Sequence, residues 1–226
     1  MSLSVLVKQH LKKCFLAYED DRVMCDMRAA YSPLLLSSFS SLSLHISPNP
    51  HPHSLSTQKN RREVCEFSTV EDFWKYWSFI PRPSEVLYDG KQHKVVDGRT
   101  IDAFSVFKKG IRPEWEDPLN RTGAEFTWRK TMTPEVLDAY WENLVLGLVG
   151  ETIDADDDVC GCRVVDKSKK GTSRTMFRLE IWVKSGNQEV ADKIRVRLGD
   201  ALTDGEASKP GSKVAAIPFE FKRRAP

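Results

Sequence analysis

The chain reads as an α+β fold in which an antiparallel sheet carries helices on one of its faces. Segments that alternate apolar and polar residues are interleaved with three separated segments of helical spacing. Hairpin-like polar connections join several of the strands, which favours antiparallel over parallel pairing. With the helices on one face, the other is free to build a site.

The elements follow in order. Ser68 or Thr69 caps a helix from Val70, where Glu71 and Asp72 suit the positive end of its dipole; Phe73, Trp74, Trp77 and Ile80 make apolar stripes and Pro81 ends it. Ile101 to Phe107 alternates as a strand, Ala103, Ser105 and Phe107 opposing Asp102, Phe104 and Val106, before a turn at Lys109-Gly110. A second strand runs from Glu125 to Lys130 with Phe126 and Trp128 on one face. Thr133-Pro134-Glu135 starts a helix whose apolar positions, from Val136 and Leu137 to Leu148, reach Gly150. Strands at Val159 to Asp166 and Met176 to Val183 flank a basic hairpin containing Gly171, Gln188 to Leu202 returns to helical spacing, and Val214 to Phe221 reads as the last strand.

Residues 32–60 differ from the rest, being rich in serine and carrying Pro33, Pro48, Pro50 and Pro52. Such composition does not order itself easily, so the segment reads as a long loop, an insertion or a boundary. It leaves a folded domain from about Phe67 to Phe221.

Composition excludes several classes. With 40% hydrophobic and 29% charged residues the chain is ordinary for a soluble globular protein, and a net charge of +2 does not by itself call for a polyanion. Charge is segregated locally, however. Glu151, Asp154 and Asp156 to Asp158 form an acidic run, while residues 167–178 carry Lys167, Lys169, Lys170, Arg174 and Arg178 without one acid. Five cysteines without a CxxC or zinc-finger spacing point to reduced thiols in a cytoplasmic or nuclear setting, and no apolar run approaches the ~20 residues of a membrane span, so no membrane is expected. HExxH, GxSxG and the phosphate loop are all missing, and no metal or cofactor is expected. An enzyme using Glu116 with Asp156 to Asp158 is the least supported of the functional readings.

The most informative segment is Arg112-Pro113-Glu114-Trp115-Glu116-Asp117-Pro118. Its prolines remove backbone donors and fix φ, so it is a loop. Trp115 either folds back into the core or offers its face to a flat cationic base whose N–H donors Glu116 accepts. If the basic hairpin lies at the same sheet edge, its guanidinium and ammonium groups meet phosphates.

The run Thr69-Val70-Glu71-Asp72-Phe73-Trp74, then Phe107 to Asp117, Gly147-Leu148-Val149-Gly150-Glu151, Asp157 to Gly161 and Ile181-Trp182, in this order and spacing, resembles the translation initiation factor 4E family of messenger-RNA cap-binding proteins. The resemblance implies a cupped antiparallel sheet of about eight strands with three helices on the convex face, 7-methylguanosine on the concave side and no enzymatic activity. It casts Trp115 and, by weaker spacing, Tyr31 as cap-stacking aromatics and Glu116 as the guanine-binding carboxylate. Lys167, Arg178 and Arg174 become phosphate contacts. Val70 and Trp74 become the docking point for a scaffold protein of the 4G type or a 4E-binding protein, with two tryptophans on separate sides of a short helix arguing for one exposed ring. The division that follows is residues 1–31 as an N-terminal strand region, 32–62 as a Ser/Pro-rich insertion and 63–226 as the main domain. The expected function is recruitment of capped messenger RNA for initiation in the cytoplasm, or cap-dependent repression through a protein partner. Tyr31 in place of tryptophan, Glu125 where the family has arginine, and the insertion mark a divergent paralogue of the kind found in protozoa such as kinetoplastids.

Overall fold

In the computed structural model, residues 41–48, 62–93, 95–96, 99–154, 156–169, 171–203 and 217–224 are described. They form one curved sheet of strands β1 (Leu42–Pro48), β2 (Arg62–Phe67), β3 (Val95–Val96), β4 (Arg99–Lys108), β5 (Ala124–Thr131), β6 (Val159–Asp166), β7 (Met176–Val183) and β8 (Glu220–Arg223). Their order is β2-β1-β4-β6-β7-β5-β8 with β3 on β4, and every pairing is antiparallel. Among the described residues, five helices accompany it: α1 (Val70–Trp77), α2 (Pro83–Val86), α3 (Pro118–Arg121), α4 (Pro134–Val149) and α5 (Gln188–Leu202). The three longer ones are those the sequence predicts; α2 and α3 are single turns that start on proline. Among the described residues, no helix is long and apolar enough to cross a membrane.

The caps are local chemistry. The Thr69 side chain accepts from the Asp72 amide, Thr133 from Val136, and Asn187 from Glu189 and Val190, so each long helix begins where a short polar side chain satisfies an orphan amide. The core lies between these helices and one sheet face. Leu42 and Leu44 of β1, Phe104 and Val106 of β4, Cys162 and Val164 of β6, and Leu179 and Ile181 of β7 are buried against Leu137, Trp141, Leu144, Ile194 and Leu198.

Two expectations are corrected. Residues 42–48, placed in the Ser/Pro-rich loop by composition, form β1, which sits between β2 and β4. The reason is alternation within the serines: Leu42 and Leu44 enter the core, whereas Ser43, His45 and Ser47 face away. Trp74 is only 2% exposed and packs edge-on to Phe73 at 4.8 Å. Positions 74 and 77 are three apart and therefore neighbours on the same helix surface, not on separate sides. Trp77 is the half-buried member and stacks on Phe73, and Val70 is also half-buried. Tyr31 falls outside the described residues, as do residues 214–216 of the expected last strand.

Leu44→Ala should lower unfolding stability by about 2–5 kcal/mol through the cavity it leaves. Val64→Ala, at 47% exposure on β2, should stay within about 0.5 kcal/mol. Chemical denaturation measures both; equal small effects would remove β1 from the core.

Candidate functional site

The loop after β4 is built to hold one ring. Gly110 takes φ +83 at the turn, and the Ile111 amide donates back to the Lys108 carbonyl at 3.0 Å. Buried Asp117 caps α3 by accepting from the Leu119 amide and also accepts from the Arg112 amide, at 3.0 and 3.1 Å. The Asn120 amide nitrogen donates to the carbonyls of Arg112 and Glu114 at 2.7 and 2.8 Å, so both ends of the loop are tied to the same helical turn. Ile111 and Pro113 are buried and Glu116 is exposed.

Between them, half-buried Trp115 lies nearly parallel to Trp182 of β7, at 17° and with ring centroids 3.1 Å apart. Phe107 meets Trp182 edge-on at 5.3 Å. That approach depends on Gly161, the cross-strand partner of both Phe107 and Trp182: a Cβ there would fall 2.5 Å from the Phe107 ring.

The second face of Trp115 is covered as well. The Arg224 guanidinium carbon is 2.7 Å from the Trp115 centroid and 5.7 Å from that of Trp182, so Trp115 is the middle layer. Arg224 is carried by the end of β8, where its amide donates to the Gly123 carbonyl at 3.0 Å. Burial lowers its pKa, and Glu125, Glu180 and Glu116 pull it back up. A planar cation thus rests on an indole, and three carboxylates act on its charge. The open stacking face expected of Trp115 is filled by a residue of the chain itself.

The basic residues divide. Lys167, whose amide closes the β6–β7 hairpin onto the Met176 carbonyl, is exposed at its side chain. Its pKa is lowered by burial first and then by Arg178, with Arg163 and Arg129 adding to the repulsion and Glu180 opposing it. Lys167, Arg178, Arg163 and Arg129 therefore share one neighbourhood. Arg178 pairs in register with Val165 and Arg129, and Arg163 with Glu180. Arg178 is not a free cation, because it forms an ion pair with Glu180. Arg174 is held by β5: its Nε donates to Thr131 Oγ1 at 2.8 Å.

The acidic run is absorbed elsewhere. Asp157 bonds Lys108 and Lys184 at 2.6 and 2.7 Å, which lowers its pKa, and Asp154 bonds Lys108 at 2.6 Å. Among the described residues, no group of three His, Cys, Asp or Glu is placed to hold a metal ion.

Trp115, Glu116, Lys167, Arg178 and Arg174 are the residues of this region that the sequence singles out. Arg163, Arg129, Glu180 and Arg224 were not singled out, although the strand period places Arg163, Arg178 and Glu180 on the face opposite the core. Arg224 left no such signal, since only the β5–β8 pairing brings it to the loop.

Burial, then Glu180, holds the Glu125 carboxyl above the usual glutamate value against the pull of Arg224, Arg178 and Lys222. The folded state thus keeps this proton better than the unfolded chain, so its contribution is complete below the unfolded pKa and is lost as pH rises through the folded one. Glu125→Gln should melt higher than the parent near pH 7, with the gap closing as pH falls into the carboxylate range. A pH-independent gap in thermal melts would count against burial as the cause.

The family model described as Eukaryotic initiation factor 4E matches residues 43–211, more than half of the chain. Eukaryotic translation initiation factor 4E1 of Drosophila melanogaster is 34% identical over 155 residues, covering 67% of this chain and 52% of that protein. Factor NCBP of Triticum aestivum is 38% identical over 112 residues, covering 50% and 42%. The chain spans about half the length of these relatives. Among solved structures, C. elegans eIF4E-3 with the 4E-binding protein Mextli and cap analog has a TM-score of 0.62 at 21% identity, covering 83% of this chain and 91% of that one. Ascaris suum eIF4E-3 with m7G cap has a TM-score of 0.61 at 21% identity, covering 84% and 91%. At these identities the structures establish the likeness of fold, a curved antiparallel sheet with helices. With the sequence match across most of the described strands and helices, the chain belongs to the eukaryotic initiation factor 4E family.

Proposed function

We propose that this chain binds the 7-methylguanosine cap of messenger RNA, without catalysing a reaction, and recruits the message for translation initiation in the cytoplasm. The observation that carries the reading is Arg224. Trp115 already stacks a flat, delocalised cation on which three carboxylates act, and methylation at N7 gives guanine that same character. In the bound state the base takes the guanidinium's place on Trp115, and exposed Glu116 accepts its N–H donors. Lys167 and Arg178 are the proposed phosphate contacts, joined by Arg163 and Arg129; Arg174 is at most an outer one. Tyr31 is the proposed second aromatic. The related structure with the cap analog also holds a 4E-binding protein, so a helical partner of that class or a 4G-type scaffold is proposed here. With Trp74 buried, the partner reading rests on that comparison and not on an exposed ring at position 74.

One observation favours the repressor or adaptor reading as the second. A ligand must displace Arg224, and a binding-competent state that is only fractionally populated lowers apparent affinity by that fraction. Weak cap binding suits a protein that acts mainly through a partner.

Titration with 7-methyl-GTP and GTP, followed by tryptophan fluorescence, should show the methylated nucleotide binding about tenfold tighter, the worth of ~1–2 kcal/mol of cation–π attraction. Equal binding of both would refute cap recognition. Trp115→Ala should abolish retention on a cap resin. Arg224→Ala should tighten both nucleotides by one common factor, because the displacement step is the same for each; a change in their ratio would make Arg224 a direct reader of the base.

A further inference from the structure

Glu180 is a buried carboxylate at the centre of β7, with no exposed surface. Burying a carboxylate is costly unless it is paired and hydrogen-bonded; here one oxygen carries the hydrogen bond and the other an ion pair. Oε2 accepts the indole N–H of Trp182 at 2.9 Å, and Oε1 is ion-paired with Arg178. The two partners lie two residues to either side on the same strand face, which is why one side chain reaches both. They also belong to different halves of the site: Trp182 is the floor under Trp115, and Arg178 lies among the cations that act on Lys167.

We propose that Glu180 is the positioning residue of this site, setting the orientation of the Trp182 ring with one oxygen and of the Arg178 guanidinium with the other. The inference rests on the cap-binding reading for what the two halves bind. The torsion that turns an indole about its Cβ–Cγ bond is soft and has two broad wells, so a directional bond to the ring N–H adds to the packing of Trp115 and Phe107 in choosing between them. The N–H bond to Glu180 selects one and presents a flat surface to Trp115. A guanidinium has five donors in a rigid fork. The ion pair at Nη2 draws that end of the fork to Glu180, and the buried Nε–H of Arg178 has no hydrogen-bond acceptor among the described residues. Glu180 also neutralises part of the charge that Arg178 brings to a phosphate.

Glu180→Gln and Glu180→Ala separate the two roles, with wild-type-like circular dichroism required of each. Glutamine keeps a carbonyl that accepts the indole N–H but gives up the ion pair. It should bind 7-methylguanosine, which has no phosphates, within about twofold of wild type, because only the Arg178 half is released. For 7-methyl-GTP its affinity should fall more steeply with salt, by about one in the logarithmic slope. Alanine loses both contacts and should weaken 7-methylguanosine about tenfold, as expected for a platform no longer held flat.

Without any nucleotide, hydrogen exchange of the Trp182 indole N–H, read by NMR, should be slow in wild type and glutamine and fast in alanine. Unchanged exchange in alanine, or an unchanged salt slope in glutamine, would overturn the proposal. So would glutamine losing 7-methylguanosine as badly as alanine, because the carboxylate would then be touching the base. If wild type binds no cap nucleotide while the exchange pattern holds, the cap reading fails and the positioning role stands.

Discussion

Alternation along β7 is the constraint on which the rest of the structure depends. Phe177, Leu179, Ile181 and Val183 enter the core, so Arg178, Glu180 and Trp182 must face the other way. A slip of one residue would exchange the two sets, and the core would reject it. The register thus fixed carries across the sheet: Trp182 lies beside Gly161 and Glu125, Glu180 beside Arg163 and Thr127, and Arg178 beside Val165 and Arg129. A polar row from His45 through Ser105 and Arg163 to Glu180 and Thr127 follows from the same pairing. Core burial and site geometry therefore have one cause, and a mutation that disturbs packing beneath the sheet would also move the charges above it.

The loop from Gly110 to Asp117 adds what the sheet cannot. A strand can present Trp182 only as a floor; a layer above it has to come from a connection, and connections are mobile unless their backbone groups are bound. Asp117 and Asn120 supply those bonds from a single helical turn. The stack of Trp182, Trp115 and Arg224 joins the end of β7, this loop and the end of β8. Arg224 there feels the attraction of Glu125, Glu180 and Glu116.

Much of this could be read along the chain. The three long helices and the strands at 101–107, 125–130, 159–166 and 176–183 were legible because periodicity and capping residues are local signals. The proline-flanked Trp115-Glu116 pair was legible because its chemistry is unusual for a loop. β1 was missed because serines and a proline hid the alternation of Leu42 and Leu44, and its place between β2 and β4 depends on partners distant in sequence. Trp74 was misjudged because burial is decided by what packs on a helix and not by the helix alone.

What the sequence determined by itself was therefore the three long helices and the four central strands, the face their apolar residues seek, and the aromatic-acidic loop that resembles one family. Only the tertiary structure decided that Arg224 covers Trp115 and that Glu180 ties Trp182 to Arg178. The first contact is made between residues more than a hundred positions apart, which no local pattern encodes. The second lies within five residues, yet its meaning comes from desolvation: on an exposed strand the same carboxylate would bind water, and only its burial in the folded protein makes its two partners obligatory.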